Sequence, residues 1–235
     1  MNKEFEIIDF HSHILPCADH GSDGIETTKK QIALMNNAGV NTVVLTPHFY
    51  PNIDRVIDFT SDVAAAAEAL ISVCVERPRF CIGAEVLYCD GIEEMESIGE
   101  LCIKGTNILM LELPITDEWN RSMIYAIKRM SAKYTILLAH IDRYVGIHDA
   151  ALVSLLSENN VFGQINSSSL THSKTKRALL PYINSGYVRA IGSDIHGKNK
   201  RNYRTFARTS RLLGEETYSK IMTSASELLS DAVFY

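Results

Sequence analysis

The chain has 235 residues, 46% hydrophobic and 22% charged, enough for one large globular domain and unlike a disordered or collagen-like chain. Its 23 basic and 28 acidic residues leave a net charge of −5, which supplies no long-range attraction for nucleic acid or an anionic membrane surface, so an anionic substrate must be gripped locally. No run approaches the roughly 20 apolar residues needed to cross a bilayer, and the first residues lack a signal-peptide stretch, which predicts a cytoplasmic protein.

Seven strands are expected along the chain: Glu6–Phe10, Thr42–Leu45, Arg79–Gly83, Ile108–Leu111, Thr135–Leu138, Val161–Ile165 and Val188–Ile191. Amphipathic helical stretches separate most of them, the clearest having Val56, Phe59, Val63, Ala66, Leu70 and Val73 at spacings of three and four. Asn37-Ala38-Gly39 and Asn184-Ser185-Gly186 each end a helical pattern just before a strand, with Gly where a left-handed terminal residue is wanted. After the last strand the chain reads as helices, with Phe206, Thr209 and Leu213 on one stripe and Tyr218, Ile221, Met222, Ala225, Leu228 and Leu229 on another. This alternation predicts a parallel α/β sheet, closed as a barrel or open and doubly wound, in one domain spanning residues 1–235.

The informative residues are polar ones at the carboxyl ends of those strands. Asp9-Phe10-His11-Ser12-His13 closes the first, Thr46-Pro47-His48 the second, Gly83-Ala84-Glu85 the third, Leu111-Glu112 the fourth, Ala139-His140 the fifth and Ser193-Asp194-Ile195-His196 the seventh. The markers His11, His48, Glu85, Glu112, His140 and Asp194 are 37, 37, 27, 28 and 54 residues apart, the last step covering two units of the alternation. In a parallel barrel all these strand ends open on one face, so one ligand-type residue per unit converges into one site. Clustered imidazoles and carboxylates need cations to neutralise them, and mixed N/O donors without thiolate suit Mn²⁺, Fe²⁺ or Zn²⁺. Two or three divalent ions fit that donor number, an arrangement that turns water into a nucleophile and polarises phosphoryl oxygens.

As a set, these motifs resemble the PHP (polymerase and histidinol phosphatase) superfamily, and within it the bacterial capsule-associated tyrosine-protein phosphatases of the CpsB/YwqE type. Ala139-His140-Ile141-Asp142-Arg143-Tyr144 and Gln164-Ile165-Asn166-Ser167 add to the likeness, which runs in order from residue 5 to about residue 210. The resemblance implies a distorted seven-stranded (β/α) barrel with a trinuclear, usually manganese-dependent site. Carried over by position, His11, His13, Glu85 and Asp194 surround one ion, and Glu85 is shared with a second held by Glu112 and His140. A third is held by His48, His196 and a residue of the Asp19-His20 turn. The related phosphatases usually have two aspartates before the glycine, whereas here Asp19-His20-Gly21 puts His20 in a carboxylate's place, with Asp19 the alternative. Arg143 and Arg201 match phosphate-contacting positions, for which a guanidinium fork is suited.

The implied activity is metal-dependent hydrolysis of phosphotyrosine in a protein, in particular the tyrosine-rich tail of a kinase governing polysaccharide export, with Glu85 and the two arginines in the catalytic machinery. A small-molecule phosphatase, such as one acting on histidinol phosphate, is the alternative. A cysteine-nucleophile tyrosine phosphatase is disfavoured, because that chemistry needs an arginine six residues after the cysteine and none of the five cysteines has one. Cys17 is read as a spectator near the site, His148 as a solvated helix-start residue and His172 as part of a polar loop.

Overall fold

The computed structural model describes residues 5–74, 78–116, 118–197 and 200–235, with the side chains of 200–202 outside the description. The β-branched and aliphatic runs form parallel strands throughout, as expected of segments buried on both faces. Strands β1 (Ile8–Ser12), β2 (Thr42–Leu45) and β4 (Arg79–Ile82) make a three-stranded sheet in the order β1-β2-β4. A six-stranded sheet takes β3 (His48–Phe49), β5 (Glu85–Leu87), β6 (Ile108–Glu112), β7 (Thr135–Leu138), β8 (Val161–Asn166) and β9 (Val188–Gly192) in that order.

Seven strands were expected from the sequence, and the difference lies in the second and third units, each divided in two. Thr46-Pro47 separates β2 from β3, and Gly83-Ala84 separates β4 from β5. Proline has no N–H to give to a ladder, and the Thr46 hydroxyl approaches the backbone of Ser12 instead. The two divided units still run side by side across the gap, since Gly83 N–H donates to Leu45 O at 2.9 Å and Glu85 N–H to Pro47 O at 3.0 Å. His48 and Glu85 therefore begin short strands, where they are paired in register. Among the described residues no continuous closed sheet forms. An isolated parallel bridge, Ser12 to Ile195, and hydrogen bonds from Asp194 N–H to His11 O at 2.9 Å and from His13 N–H to Ile195 O at 3.2 Å join β1 to the chain just past β9.

Among the described residues eight α-helices surround the sheets: α1 (Ile25–Asn37), α2 (Val56–Ile71), α3 (Arg121–Met130), α4 (Asp149–Leu156), α5 (Ser173–Asn184), α6 (Lys200–Phe206), α7 (Thr209–Leu213) and α8 (Glu215–Leu228). The buried line of α2 is Val63, Ala67 and Leu70, one residue away from the expected Ala66, while Val56 and Phe59 are half-buried and Val73 lies past the helix end. Helix α8 packs on β9 and β1 through Tyr218, Ile221, Met222 and Ala225. Gly39 and Gly186 take the left-handed conformation read from the sequence. No helix among the described residues is long and apolar enough to cross a membrane.

One close approach fixes the site from below. A Cβ on Gly192, the last residue of β9, would stand 2.4 Å from His11 Cβ and 2.7 Å from Gln164 Nε2. Overpacking of this kind costs about 1–3 kcal/mol, so Gly192→Ala is expected to lower the thermal midpoint by several degrees and to weaken metal binding through His11. Calorimetry and metal titration check it, and an unchanged midpoint would show that the three strands have room to spare.

Candidate metal centre

His11 and His13 are two residues apart on and just after β1, so both side chains leave the same face. Their Nε2 atoms lie 3.0 Å apart. What each ring's other nitrogen touches decides what those atoms present. His13 Nδ1 lies 2.7 Å from Asp19 Oδ2, an acceptor, so it carries the proton and leaves a lone pair on Nε2. His11 Nδ1 lies 3.2 Å from Gln164 Oε1, and the orientation of that amide is fixed by its neighbours. Gln164 Oε1 accepts from His140 N–H at 2.6 Å, and its Nε2 donates to Asn166 Oδ1 at 3.0 Å. Asn166 Nδ2 in turn donates to Asp194 Oδ2 at 2.8 Å. His11 therefore also points Nε2 inward, and two such atoms facing each other at this distance need a proton or a metal ion between them.

The carboxylates complete the same point. Glu85 Oε2 lies 3.2 Å from His11 Nε2, 3.3 Å from His13 Nε2 and 3.0 Å from His48 Nδ1, yet it is a buried oxygen without a well-aligned hydrogen bond. Ligands about 2.1 Å from one ion stand roughly 3.0–3.4 Å apart at octahedral to tetrahedral angles, which is the spacing of His11, His13 and Glu85. Glu85 Oε1 reaches the other way, 2.8 Å from His140 Nε2, which is also 3.3 Å from Glu112 Oε1. Across the site His48 Nε2 and His196 Nε2 are 3.3 Å apart, and His196 Nδ1 is held by Asp194 O at 3.1 Å. Three groups of possible ligands follow: His11, His13 and Glu85; His13, His48 and His196; and His48, Glu85 and Glu112. The donor set thus fits divalent ions.

The electrostatics agree with that fit. Burial alone would lower the His11 pKa, but the charges of Glu85 and Asp194 raise it to about 10. Burial alone would raise Glu85 and Asp194, but the charge of His11 and the surrounding imidazoles hold both below the usual carboxylate range. The cluster takes up a proton where it lacks a metal. Backbone geometry is also forced here: His140 and Asp194 have φ of 32° and 51°, a left-handed conformation that non-glycine residues adopt at a cost.

The other sequence-derived residues are placed as follows. Both oxygens of Asp19 are engaged, by His13, Gly21 N–H and His48 N–H. It holds the His13 imidazole and the backbone of His48, and burial is outweighed by His13 in keeping its carboxyl ionised. His20 is exposed and its ring lies 4.8 Å from that of His48 and 4.7 Å from that of His196. Arg143 sits in the turn after β7 with Nη2 2.6 Å from Asp194 Oδ2 and Nη1 3.4 Å from Glu112 Oε1. The Arg201 side chain lies outside the described residues. Cys17 is exposed in the loop after His13, and His172 is exposed as well. His148 differs from its reading as a solvated residue, because its ring stacks on Trp119 at 4.4 Å and its Nε2 contacts Ile115 O at 2.9 Å.

Sequence reasoning passed over Gln164, Asn166 and Tyr144 as site residues. The signal for the first two was present, since the sixth unit was the one without a marker and β8 carries them two apart on a buried strand. Tyr144 has its OH 3.5 Å from His140 Nδ1 and accepts Leu113 N–H at 2.8 Å. Groups that orient metal-binding imidazoles typically cost 10–100-fold in metal affinity when removed. Gln164→Leu is accordingly expected to weaken metal binding by about that factor, because both His11 and His140 lose their anchor. Isothermal titration measures it, and wild-type affinity would show that the tautomer is held by something else.

A cavity of about 350 Å³ opens beside the cluster, lined by His20, His48, Tyr50, Ile53 and Phe59 among others. The Tyr50 ring stacks on that of His48 at 5.5 Å.

A parallel α/β fold whose strand ends bring five or more imidazoles and carboxylates to shared points defines a metal-binding protein of the hydrolytic type. The chain belongs to the CpsB/CapC family, described as capsular polysaccharide synthesis, whose profile matches residues 7–230. It is 23% identical over 210 residues to the tyrosine-protein phosphatase CpsB of Streptococcus pneumoniae, covering 83% of this chain and 85% of that one. The values for CpsB of Streptococcus agalactiae are the same. The fold matches a solved structure with a TM-score of 0.77 at 21% identity, over 97% of this chain and 96% of the other. That structure comes from the pair YwqE of Bacillus subtilis and CpsB of Streptococcus pneumoniae, described as unique metal-dependent tyrosine phosphatases.

Proposed function

We propose that residues 1–235 form one phosphatase domain that hydrolyses phosphotyrosine in a cytoplasmic protein, such as the tyrosine-rich tail of a kinase governing polysaccharide export. The observation that carries this reading is the pair of inward Nε2 atoms of His11 and His13, 3.0 Å apart beside Glu85. The names of the curated relatives supply the substrate class. The two sheets then act as one distorted seven-unit barrel, a view supported by the Ser12–Ile195 bridge and by the Asp194 N–H bond to His11 O at 2.9 Å.

Two or three ions, manganese first and iron or zinc as substitutes, would be held by this chain's own donors. His11, His13, Glu85 and Asp194 form one set, Glu85, Glu112 and His140 a second, and His48, His196 and His20 a third, with Asp19 orienting rather than ligating. Such ions supply a water-derived nucleophile and charge neutralisation at phosphorus. Glu85 ties the sets together, and Asp194 is kept ionised for its role by His11 and His196. Arg143, half-exposed between Glu112 and Asp194, is positioned to donate to the equatorial phosphate oxygens, and Arg201 is assigned the same task. The cavity beside His48 takes the aryl group, with Tyr50 as a wall.

The test is a panel of phosphotyrosine peptide, histidinol phosphate and a simple aryl phosphate with Mn²⁺ restored after chelation. A preference for the peptide in kcat/KM is expected, and a preference for histidinol phosphate would replace this reading by the small-molecule one. Arg143→Ala should raise KM about tenfold or more, the scale of a charge-assisted hydrogen bond. Unchanged steady-state kinetics would remove Arg143 from the site.

A further inference from the structure

The net charge of −5 conceals a strong segregation. Residues 159–214 hold ten basic residues and a single acidic one, Asp194, whereas the rest of the chain holds 13 basic and 27 acidic. Asp194 is turned into the metal centre, so nothing acidic within that stretch balances its outer surface. Lys174 and Arg177 of α5, Arg204 of α6, Arg208 just before α7 and Arg211 within it are all exposed, and none has an acidic partner among the described residues. The three helices are neighbours, all packed on the turn Ser167–Thr171 that follows β8. Lys176 ties α5 to α7 by donating to Leu212 O. Helix α5 has no acidic residue in its first turn and carries Lys174, Lys176 and Arg177 near its start, against the preference of a helix dipole for negative charge there. That cost is offset when an anion sits on the rim.

We propose that this rim docks an acidic stretch of the phosphoprotein substrate, within about eight residues of the phosphotyrosine. The inference rests on the phosphotyrosine reading and adds which neighbouring sequence the enzyme prefers. Reach supports it: α5 starts after the turn that follows Asn166, and Arg204 is eight residues from His196, at most about 28 Å of chain. Direction follows too. The cavity beside His48 and Tyr50 is lined by Asp54, Asp58 and Asp62, with Arg55 among them, so an acidic segment is repelled there and attracted to the α5–α7 side.

The test compares two phosphotyrosine peptides, one with four Glu within eight residues of the phosphotyrosine and one with Gln in their place, on the manganese-loaded protein. Wild type is expected to favour the acidic peptide about tenfold in kcat/KM at low ionic strength. The gap should close near 0.5 M salt, where screening shortens to roughly 4 Å. It should also close in the variant Lys174→Gln, Arg177→Gln, Arg208→Gln, Arg211→Gln, but persist when Lys29, Lys30, Lys133 and Lys220 are changed instead. Aryl phosphate turnover should stay within twofold in both variants, which shows that they fold. Equal rates for the two peptides on wild type, or a gap that survives in the rim variant, overturn the proposal. So does tighter binding of single-stranded RNA or anionic vesicles than of the acidic peptide at equal salt. If neither peptide is hydrolysed while aryl phosphate is, the phosphotyrosine reading fails on its own. Fluorescence anisotropy then decides the rim, with acidic-peptide binding lost in the variant supporting it and unselective binding overturning it.

Discussion

Glu85→Gln is expected to remove metal-dependent turnover by about three orders of magnitude or more, the largest effect of any single substitution in the chain. The side chain is 1% exposed and its two oxygens face His11, His13 and His48 on one side and His140 on the other. Glutamine keeps the volume, so the fold has no cavity to collapse into. What changes is charge: the carboxylate that touches His11, His13, His48 and His140 becomes neutral, and half of it becomes an N–H donor. Asp194 and Glu112 remain, the first reaching His11, His13 and His196 and the second His140, but the carboxylate that joins His140 and His48 to His11 and His13 is gone. Steady-state hydrolysis of an aryl phosphate, with elemental analysis of the same sample, measures the result. Loss of activity with at least one ion equivalent lost is the expected pair of readings. Full activity with unchanged metal content would mean that the ions are held elsewhere.

The ligand set was largely legible because strands impose it. An apolar strand buried on both faces has no use for a polar residue at its carboxyl end unless something there binds it, and His11, Glu112 and His140 each stand out on that ground. His48 and Glu85 were legible for the same reason, although the structure places them at the start of short second strands. What could not be read was how the chain bends to get there. Pro47 and Gly83 look like ordinary ends of strands in sequence, and only the pairing of His48 with Glu85 across the gap shows that the units continue beyond them.

The orienting groups were harder to see than the ligands, since their meaning depends on a partner far away. Gln164 serves His11 from 153 positions along the chain, and no local pattern distinguishes an amide that fixes a tautomer from one that caps a strand. Asp19 is a related case. By sequence it competes with His20 for one ligand position, but its short reach to His13 and to two backbone N–H groups uses up both oxygens. Charge segregation, in contrast, is a plain count along the sequence. It gains meaning only when three helices are found packed on one turn.

Chelation should make the protein's stability fall as pH rises. His11 has its pKa raised from 6.5 to about 10 in the metal-free chain, because Glu85 and Asp194 outweigh burial. A group that binds its proton more tightly when folded stabilises fully below its unfolded pKa, and that contribution is lost as pH climbs toward the folded value. The window therefore runs from about 6.5 to 10, and His140 and His196, both raised by carboxylate neighbours against burial, act in the same direction. Glu85 and Asp194, held low, stabilise above their unfolded values and lose that only in acid. A shift of this size corresponds to a few kcal/mol, roughly 10 °C in midpoint for a chain of this length. The manganese-loaded protein should behave oppositely, because ions compete with protons for the Nε2 atoms and bind more tightly as protons leave. Calorimetry from pH 6 to 9.5, with and without chelator, should give two curves that diverge as pH rises. Parallel curves would mean that proton and metal do not share the His11–Glu85 pocket, and the assignment of the first ion would have to move.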